Sequence, residues 1–122
     1  MSTRAKYLGA EGAIIDGRFR DVEEQRALKF PIFARNIGTA PPYESVKVSA
    51  TNVTVKLQSE HQDMEVRPGD YLMGDINGVV VLPAELAEEV IGLMKKRVPA
   101  DENVREAVEQ GMTFKEASAK FR

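Results

Sequence analysis

The spacing of apolar residues changes along the chain, from short strand-like runs to a helical repeat. Apolar runs of strand length occur at residues 13–15, 30–34 and 78–82, and apolar residues alternate with polar ones between residues 46 and 57. From Pro83 onward the period becomes about 3.6 residues, on a stripe marked by Leu86, Val90, Leu93, Met94 and Arg97. This pattern predicts a mixed α/β (α+β) fold, with a strand-rich body followed by a helical tail over residues 84–122.

Glycine positions indicate where these segments end or reverse. Residues 2–9 have the pattern of the end of a helix, closed by Gly9 in a left-handed conformation. Asp16-Gly17 predicts a turn after the first strand. Asn77-Gly78 predicts a type I′ hairpin, in which both residues have positive φ.

Two signals divide the predicted tail into separate helices. Pro99 lacks a backbone donor and clashes with the preceding turn, so it predicts an interruption, after which Asp101 caps the next helix. Thr113 and Glu116 have the spacing of a capping box, which predicts the start of a last short helix. The apolar stripe before Pro99 is interpreted as core or subunit interface rather than as a cofactor site.

Composition narrows the classes of function. The 122 residues fit one domain, and 17 Lys and Arg against 19 Asp and Glu give a net charge of −2. Because no basic run and no long apolar segment occur, we expect a cytoplasmic protein with neither nucleic-acid nor membrane partners. Zero cysteines exclude a disulfide scaffold, a thiol nucleophile and a Cys-ligated metal. The single histidine, His61, is expected at the surface.

The segment Asp16–Asp21 is the most unusual polar cluster, because it directly follows a buried strand. A carboxylate there can hold a hard divalent cation, and a neighbouring arginine can hold a carboxylate or an enolate. The structural alternative is a solvated turn with Arg–Asp pairs. A second group, Asp70, Asp75 and Asn77, is interpreted as turn formers that bond to their own backbone.

Four longer motifs stand in one order along the strand-rich body. They are Gly12–Asp21, Phe30–Arg35, Val66–Asp70 and Asp75–Pro83. This series resembles the RraA-like family, which includes 4-hydroxy-4-methyl-2-oxoglutarate aldolases and the regulator of ribonuclease E activity. The tail after Pro83 is similar to the longer C-termini of the aldolases.

The resemblance implies a β/β/α sandwich like that of the swivelling phosphohistidine domain, assembled into homotrimers or homohexamers. It also implies a class II aldolase that cleaves 4-hydroxy-4-methyl-2-oxoglutarate to pyruvate and decarboxylates oxaloacetate. By motif match, Asp21 ligates Mg²⁺ or Mn²⁺, whereas Arg20 contacts the 2-oxo group of the small substrate and stabilises the pyruvate enolate. The acidic residue at position 21 favours this function over the alternative, a non-enzymatic protein-binding regulator of the ribonuclease E inhibitor type.

The resemblance also implies a part of the family's domain that has no match in this sequence. That part contains a glycine-rich loop that binds the pyruvate carboxylate and an acidic residue that completes the metal shell. We therefore expect residues 1–122 to form a single RraA-like domain truncated at its N-terminus. An incomplete site, weak or inactive on its own, would follow from that truncation.

Overall fold

The computed structural model describes residues 1–44, 46–58 and 64–122, so the expectation for His61 lies outside the described residues. They divide into two compact units, Met1–Val81 and Leu82–Arg122. Strands dominate the first unit and helices the second. This mixture confirms the α/β class expected from the sequence.

The first unit is built from short elements. Its helices and strands are α1 (Ser2–Tyr7), β1 (Ala13–Phe19), α2 (Val22–Leu28), β2 (Ile32–Ile37), β3 (Val55–Leu57), β4 (Met64–Val66), β5 (Tyr71–Asp75) and β6 (Gly78–Leu82), of which the last ends one residue beyond the unit. The described strands form three pairs: β1 with β2 in parallel, β3 with β4 antiparallel, and β5 with β6. Helix α1 is followed by Gly9 at φ 91°, so the predicted left-handed helix end is confirmed.

The predicted turn at Asp16-Gly17 is wrong, because both residues lie inside β1. The register with β2 shifts there, between the pairs Ile15–Ala34 and Arg18–Asn36. Aspartate and glycine at this position therefore mark a bulge within a strand rather than its end.

The connection between β5 and β6 forms a hairpin, but not one of type I′. Gly78 has φ 140°, whereas Asn77 is not among the residues with positive φ. The backbone N–H of Asn77 donates to Asp75 Oδ1 at 2.7 Å, and its side-chain nitrogen lies 3.3 Å from Asp75 Oδ2. These bonds hold Asn77 without a left-handed backbone and confirm Asp75 as a turn former.

The alternating segment before β3 forms much less strand than predicted. Residues 46–50 have no regular secondary structure, and Val46 and Val48 are exposed. Only Val55–Leu57 pairs with another strand. Alternation shows which residues can share a face, but a strand also needs a partner for its backbone groups, and residues 46–50 have none among the described strands.

The second unit contains a 3₁₀ turn at Ala84–Leu86, the long helix α3 (Ala87–Glu109) and α4 (Phe114–Phe121). The predicted interruption at Pro99 is wrong, since α3 runs through it and Asp101 caps no new helix. Pro99 removes one backbone hydrogen bond of α3, whereas the neighbouring turns keep their own backbone hydrogen bonds. Packing also stabilises the C-terminal half of the helix. The capping box is confirmed: Thr113 Oγ1 accepts from the Glu116 N–H at 3.3 Å, and the Thr113 N–H donates to Glu116 Oε2 at 3.1 Å.

Packing between α3 and α4 forms the core of the second unit. Val104, Ala107 and Ala117 are buried, with Met112 and Phe121 packed against them. The predicted stripe nearer the start of α3 is open instead, with Leu93 54% and Met94 51% exposed. In the described residues, no helix has the length and apolar character needed to cross a membrane.

Candidate active site

Strand β1 and helix α2 position the Arg–Asp pair predicted from the sequence. The strand ends at Phe19 and the helix begins at Val22, so Arg20 and Asp21 form the whole connection. Arg20 Nε lies 3.1 Å from Asp21 Oδ2, and the two side chains are 45% and 44% exposed. The pair therefore lies in a two-residue connection, where it is accessible to a small molecule.

The backbone of Asp21 is unusual for its place in the chain. Asp21 is the N-cap of α2 but adopts φ 62° and ψ 47°, and its side chain makes no capping hydrogen bond. An N-cap normally has an extended backbone, from which an aspartate side chain bonds to the first turn. The carboxylate of Asp21 instead contacts Arg20. Lys29 and Asn52 also have positive φ, so the backbone of Asp21 supports it as a functional candidate only together with its contact to Arg20.

The other aspartate of the predicted cluster, Asp16, belongs to a different set of contacts. Arg35 Nε donates to Asp16 Oδ1, and the backbone N–H of Gln58 donates to Asp16 Oδ2 at 2.9 Å. The Gln58 N–H, followed by the Arg35 guanidinium, holds the pKa of the Asp16 carboxyl below its ordinary value. Local spacing contained no signal for these partners, which lie 19 and 42 residues away in the sequence.

Asp16 and Arg35 border an open cavity of about 740 Å³ in the first unit. Its wall is mostly apolar, formed by residues such as Ile14, Ile32 and Phe33. Neither Arg20 nor Asp21 lines this cavity. The structure therefore separates the predicted cluster into an exposed Arg20–Asp21 pair and an Asp16 carboxylate engaged with β2.

The described residues contain no ready-made metal centre, since no group of three or more His, Cys, Asp or Glu side chains among them is arranged to hold a metal ion. Mg²⁺ binds through one or two carboxylates and retains several waters, so the exposed carboxylate of Asp21 fits as a single ligand. Arg20 alongside it fits the binding of an anionic oxygen.

The chain is similar in sequence to proteins of a known family. The family model RraA-like, described as Aldolase/RraA, matches residues 1–81. An uncharacterised protein of Methanocaldococcus jannaschii is 36% identical over 115 residues, which are 94% of this chain and 53% of that protein. A protein of Halalkalibacterium halodurans with the provisional name 4-hydroxy-4-methyl-2-oxoglutarate aldolase is 38% identical over 102 residues, 84% of this chain and 46% of that protein.

A solved structure gives the same result for the fold. The crystal structure of an uncharacterised protein from Pseudomonas syringae pv. tomato matches with a TM-score of 0.88 and 26% identity, over 99% of this chain and 55% of that one. The chain thus spans about half the length of the relatives that it matches. The match over residues 1–81 includes β1, α2 and the Arg–Asp pair between them, and the chain belongs to the RraA-like family.

Proposed function

We propose that this chain carries the Arg–Asp part of a divalent-metal-dependent lyase acting on small 2-oxo acids. The substrates proposed are 4-hydroxy-4-methyl-2-oxoglutarate, cleaved to pyruvate, and oxaloacetate, which is decarboxylated. The observation that carries the proposal is the exposed contact between Arg20 and Asp21, in which Asp21 has a left-handed backbone and leaves the helix uncapped. The names of the relatives support the aldolase class.

Arg20 binds the substrate in this proposal. The contact with Asp21 uses Nε, so the two terminal nitrogens of the guanidinium can face the oxygen of a 2-oxo group. Both proposed reactions pass through a pyruvate enolate, whose negative charge develops on that oxygen. The guanidinium of Arg20, which contacts Asp21, stabilises this charge by donating hydrogen bonds to the oxygen.

Asp21 has two tasks in this proposal. It holds Arg20 in place, and it supplies a carboxylate ligand for Mg²⁺ or Mn²⁺. When bound, the cation supplies Lewis-acid polarisation of the carbonyl. Together these groups provide the stabilisation that other aldolases obtain from a Schiff-base lysine.

Release of pyruvate from oxaloacetate, measured with and without Mg²⁺, tests this function. We expect Asp21→Asn to abolish the metal-dependent rate, and Arg20→Lys to lower kcat by about a hundredfold, since lysine keeps the charge but loses the fork. Glu65→Gln is the matched control, because it removes a carboxylate from the exposed pair with Lys56 in the same unit. Metal-dependent turnover that is unchanged in Asp21→Asn would refute the assignment.

The alternative is a non-enzymatic protein-binding regulator of the ribonuclease E inhibitor type. The exposure of the Arg20–Asp21 pair is compatible with this alternative too, because a partner protein can contact an exposed ion pair. The two functions differ in their requirement for metal, because the regulator needs no cation at Asp21.

A further inference from the structure

We propose that Asp16 is a positioning residue, which fixes a bulge in β1 and thereby sets the direction in which Arg20 and Asp21 leave the strand. The importance of this role for catalysis rests on the proposed function. The role in the strand itself is independent of it. Among the described residues, no hydrogen bond or ion pair joins Asp16 to Arg20 or Asp21, so the proposed effect passes through the backbone.

The register of β1 against β2 locates the bulge. Ile15 lies opposite Ala34, and the next pair along the strands is Arg18 opposite Asn36. Two residues of β1, Asp16 and Gly17, therefore stand opposite the single residue Arg35. Bulges of this kind are rare in parallel pairs and often occur next to functional residues.

Side-chain contacts of Asp16 hold this bulge in place. One carboxylate oxygen accepts from Arg35, the residue directly opposite, and the other accepts from the backbone N–H of Gln58 at 2.9 Å. A single carboxylate thus ties β1 to β2 and to the residue that follows β3. The Asp16 side chain is 24% exposed and that of Arg35 is 50% exposed, so this ion pair lies at the surface.

The adjacent glycine does not impose the bulge. Gly17 is not among the glycines with positive φ, so its backbone does not require glycine. A Cβ at this position would meet only Ile15 Cγ2, at 3.8 Å. The bulge therefore depends on the contacts of Asp16 rather than on the conformational freedom of Gly17.

The bulge determines how the residues that follow it in β1 are placed against β2. Half-buried and exposed residues alternate without a break along β1, so the extra residue shifts the register of all later positions against β2 by one. After the bulge, Arg18 and Phe19 pair with Asn36 and Ile37, and the chain then enters Arg20 and Asp21. A strand without the extra residue would deliver the Arg–Asp pair to the connection in a different orientation.

The first readout is the register itself, measured by cross-strand nuclear Overhauser effects between Arg18 and Asn36 and between Phe19 and Ile37. We expect Asp16→Ala to lose these effects or shift them by one residue. Asp16→Asn keeps an oxygen that accepts from the Gln58 N–H but loses the charge that faces Arg35. We therefore expect this variant to fold and to show a partial loss of these cross-strand effects. Gly17→Ala, for which there is space, and Glu65→Gln should leave the register unchanged.

The second readout is the division between kcat and KM for oxaloacetate. We expect Asp16→Asn and Arg35→Gln each to lower kcat at least tenfold with little change in melting temperature. The kcat of the double variant should be no lower than that of the less active single variant. An intact register in both Asp16 variants would overturn the inference, whatever the activity. Loss of register in Asp16→Ala, together with no Mn²⁺ binding by the wild type in a calorimetric titration, would uphold the inference while rejecting the proposed function.

Discussion

At the scale of single residues, Gly74 shows how one missing side chain allows two strands to approach. A Cβ on Gly74 would lie 2.5 Å from two atoms of the Phe33 ring and 2.9 Å from a third. Phe33 belongs to β2 and Gly74 to β5, so the ring fills the space that any larger residue would need. Packing is therefore the reason for glycine at position 74, unlike at the glycines that follow turns.

Gly74→Ala is therefore expected to destabilise the chain by about 1–3 kcal/mol, the usual cost of forcing a side chain into occupied space. Urea unfolding followed by circular dichroism measures this change. Gly92→Ala is the control, because nothing lies within 4 Å of a Cβ at Gly92 in the interior of α3. That substitution should stabilise α3 by about 0.5–1 kcal/mol, and a Gly74→Ala variant as stable as wild type would contradict the packing account.

The contact between the two residues of the candidate site could be predicted from the sequence, whereas the contacts of Asp16 could not. Arg20 and Asp21 are adjacent, so their proximity followed from the sequence, and the 3.1 Å contact was within reach of that reasoning. The pairing of Asp16 with Arg35 depends on which strands become neighbours and on the position of a bulge. Neither feature has a local sequence signal, because both result from packing over tens of residues.

At the scale of elements, the sequence located most segments but misplaced several ends. The capping box of α4 was predictable because its bonds join residues only three apart. The sequence predicts two helices in place of α3 because proline usually breaks a helix. The actual effect of Pro99 depends on how well the parts of the helix before and after it are packed. The C-terminal side is fixed by Val104 and Ala107 packed against α4.

Pro99→Ala is expected to stabilise the second unit by up to about 3 kcal/mol, because it restores the missing donor and removes the clash with the preceding turn. Thermal unfolding followed at a helical wavelength checks this, and the helical signal at low temperature should change little because α3 is already continuous. Val98→Ala, at the neighbouring exposed position, is the control that should alter stability only slightly. A lower melting temperature in Pro99→Ala would mean that the proline is required where it stands.

At the scale of the whole molecule, the hairpin of β5 and β6 leaves a large apolar area open. Tyr71, Leu72 and Met73 are consecutive and 56%, 37% and 53% exposed, and Val80 of β6 is 62% exposed. Consecutive strand residues face opposite sides, so both faces of the hairpin carry exposed apolar side chains. A two-stranded hairpin of this kind is marginally stable unless something covers it.

We propose that copies of this chain assemble as a homotrimer or homohexamer, partly through this hairpin. Light scattering on the purified chain should then give a mass of three or six copies, and Leu72→Glu should lower it by placing a charge in the contact. Val48→Glu, at an 85% exposed position outside the strands, should leave the mass unchanged. A monomeric wild type at every concentration would reject this assembly.

The proposed function requires Asp21 to bind a divalent cation beside Arg20. Calorimetric titration of the chain with Mn²⁺ tests it without requiring turnover. We expect saturable binding in the wild type, loss of binding in Asp21→Ala, and retained binding in Asp101→Ala, which removes a carboxylate paired with Arg122 in the other unit. Equal binding in wild type and Asp21→Ala, or no binding in either, would contradict the proposed function and favour the regulator.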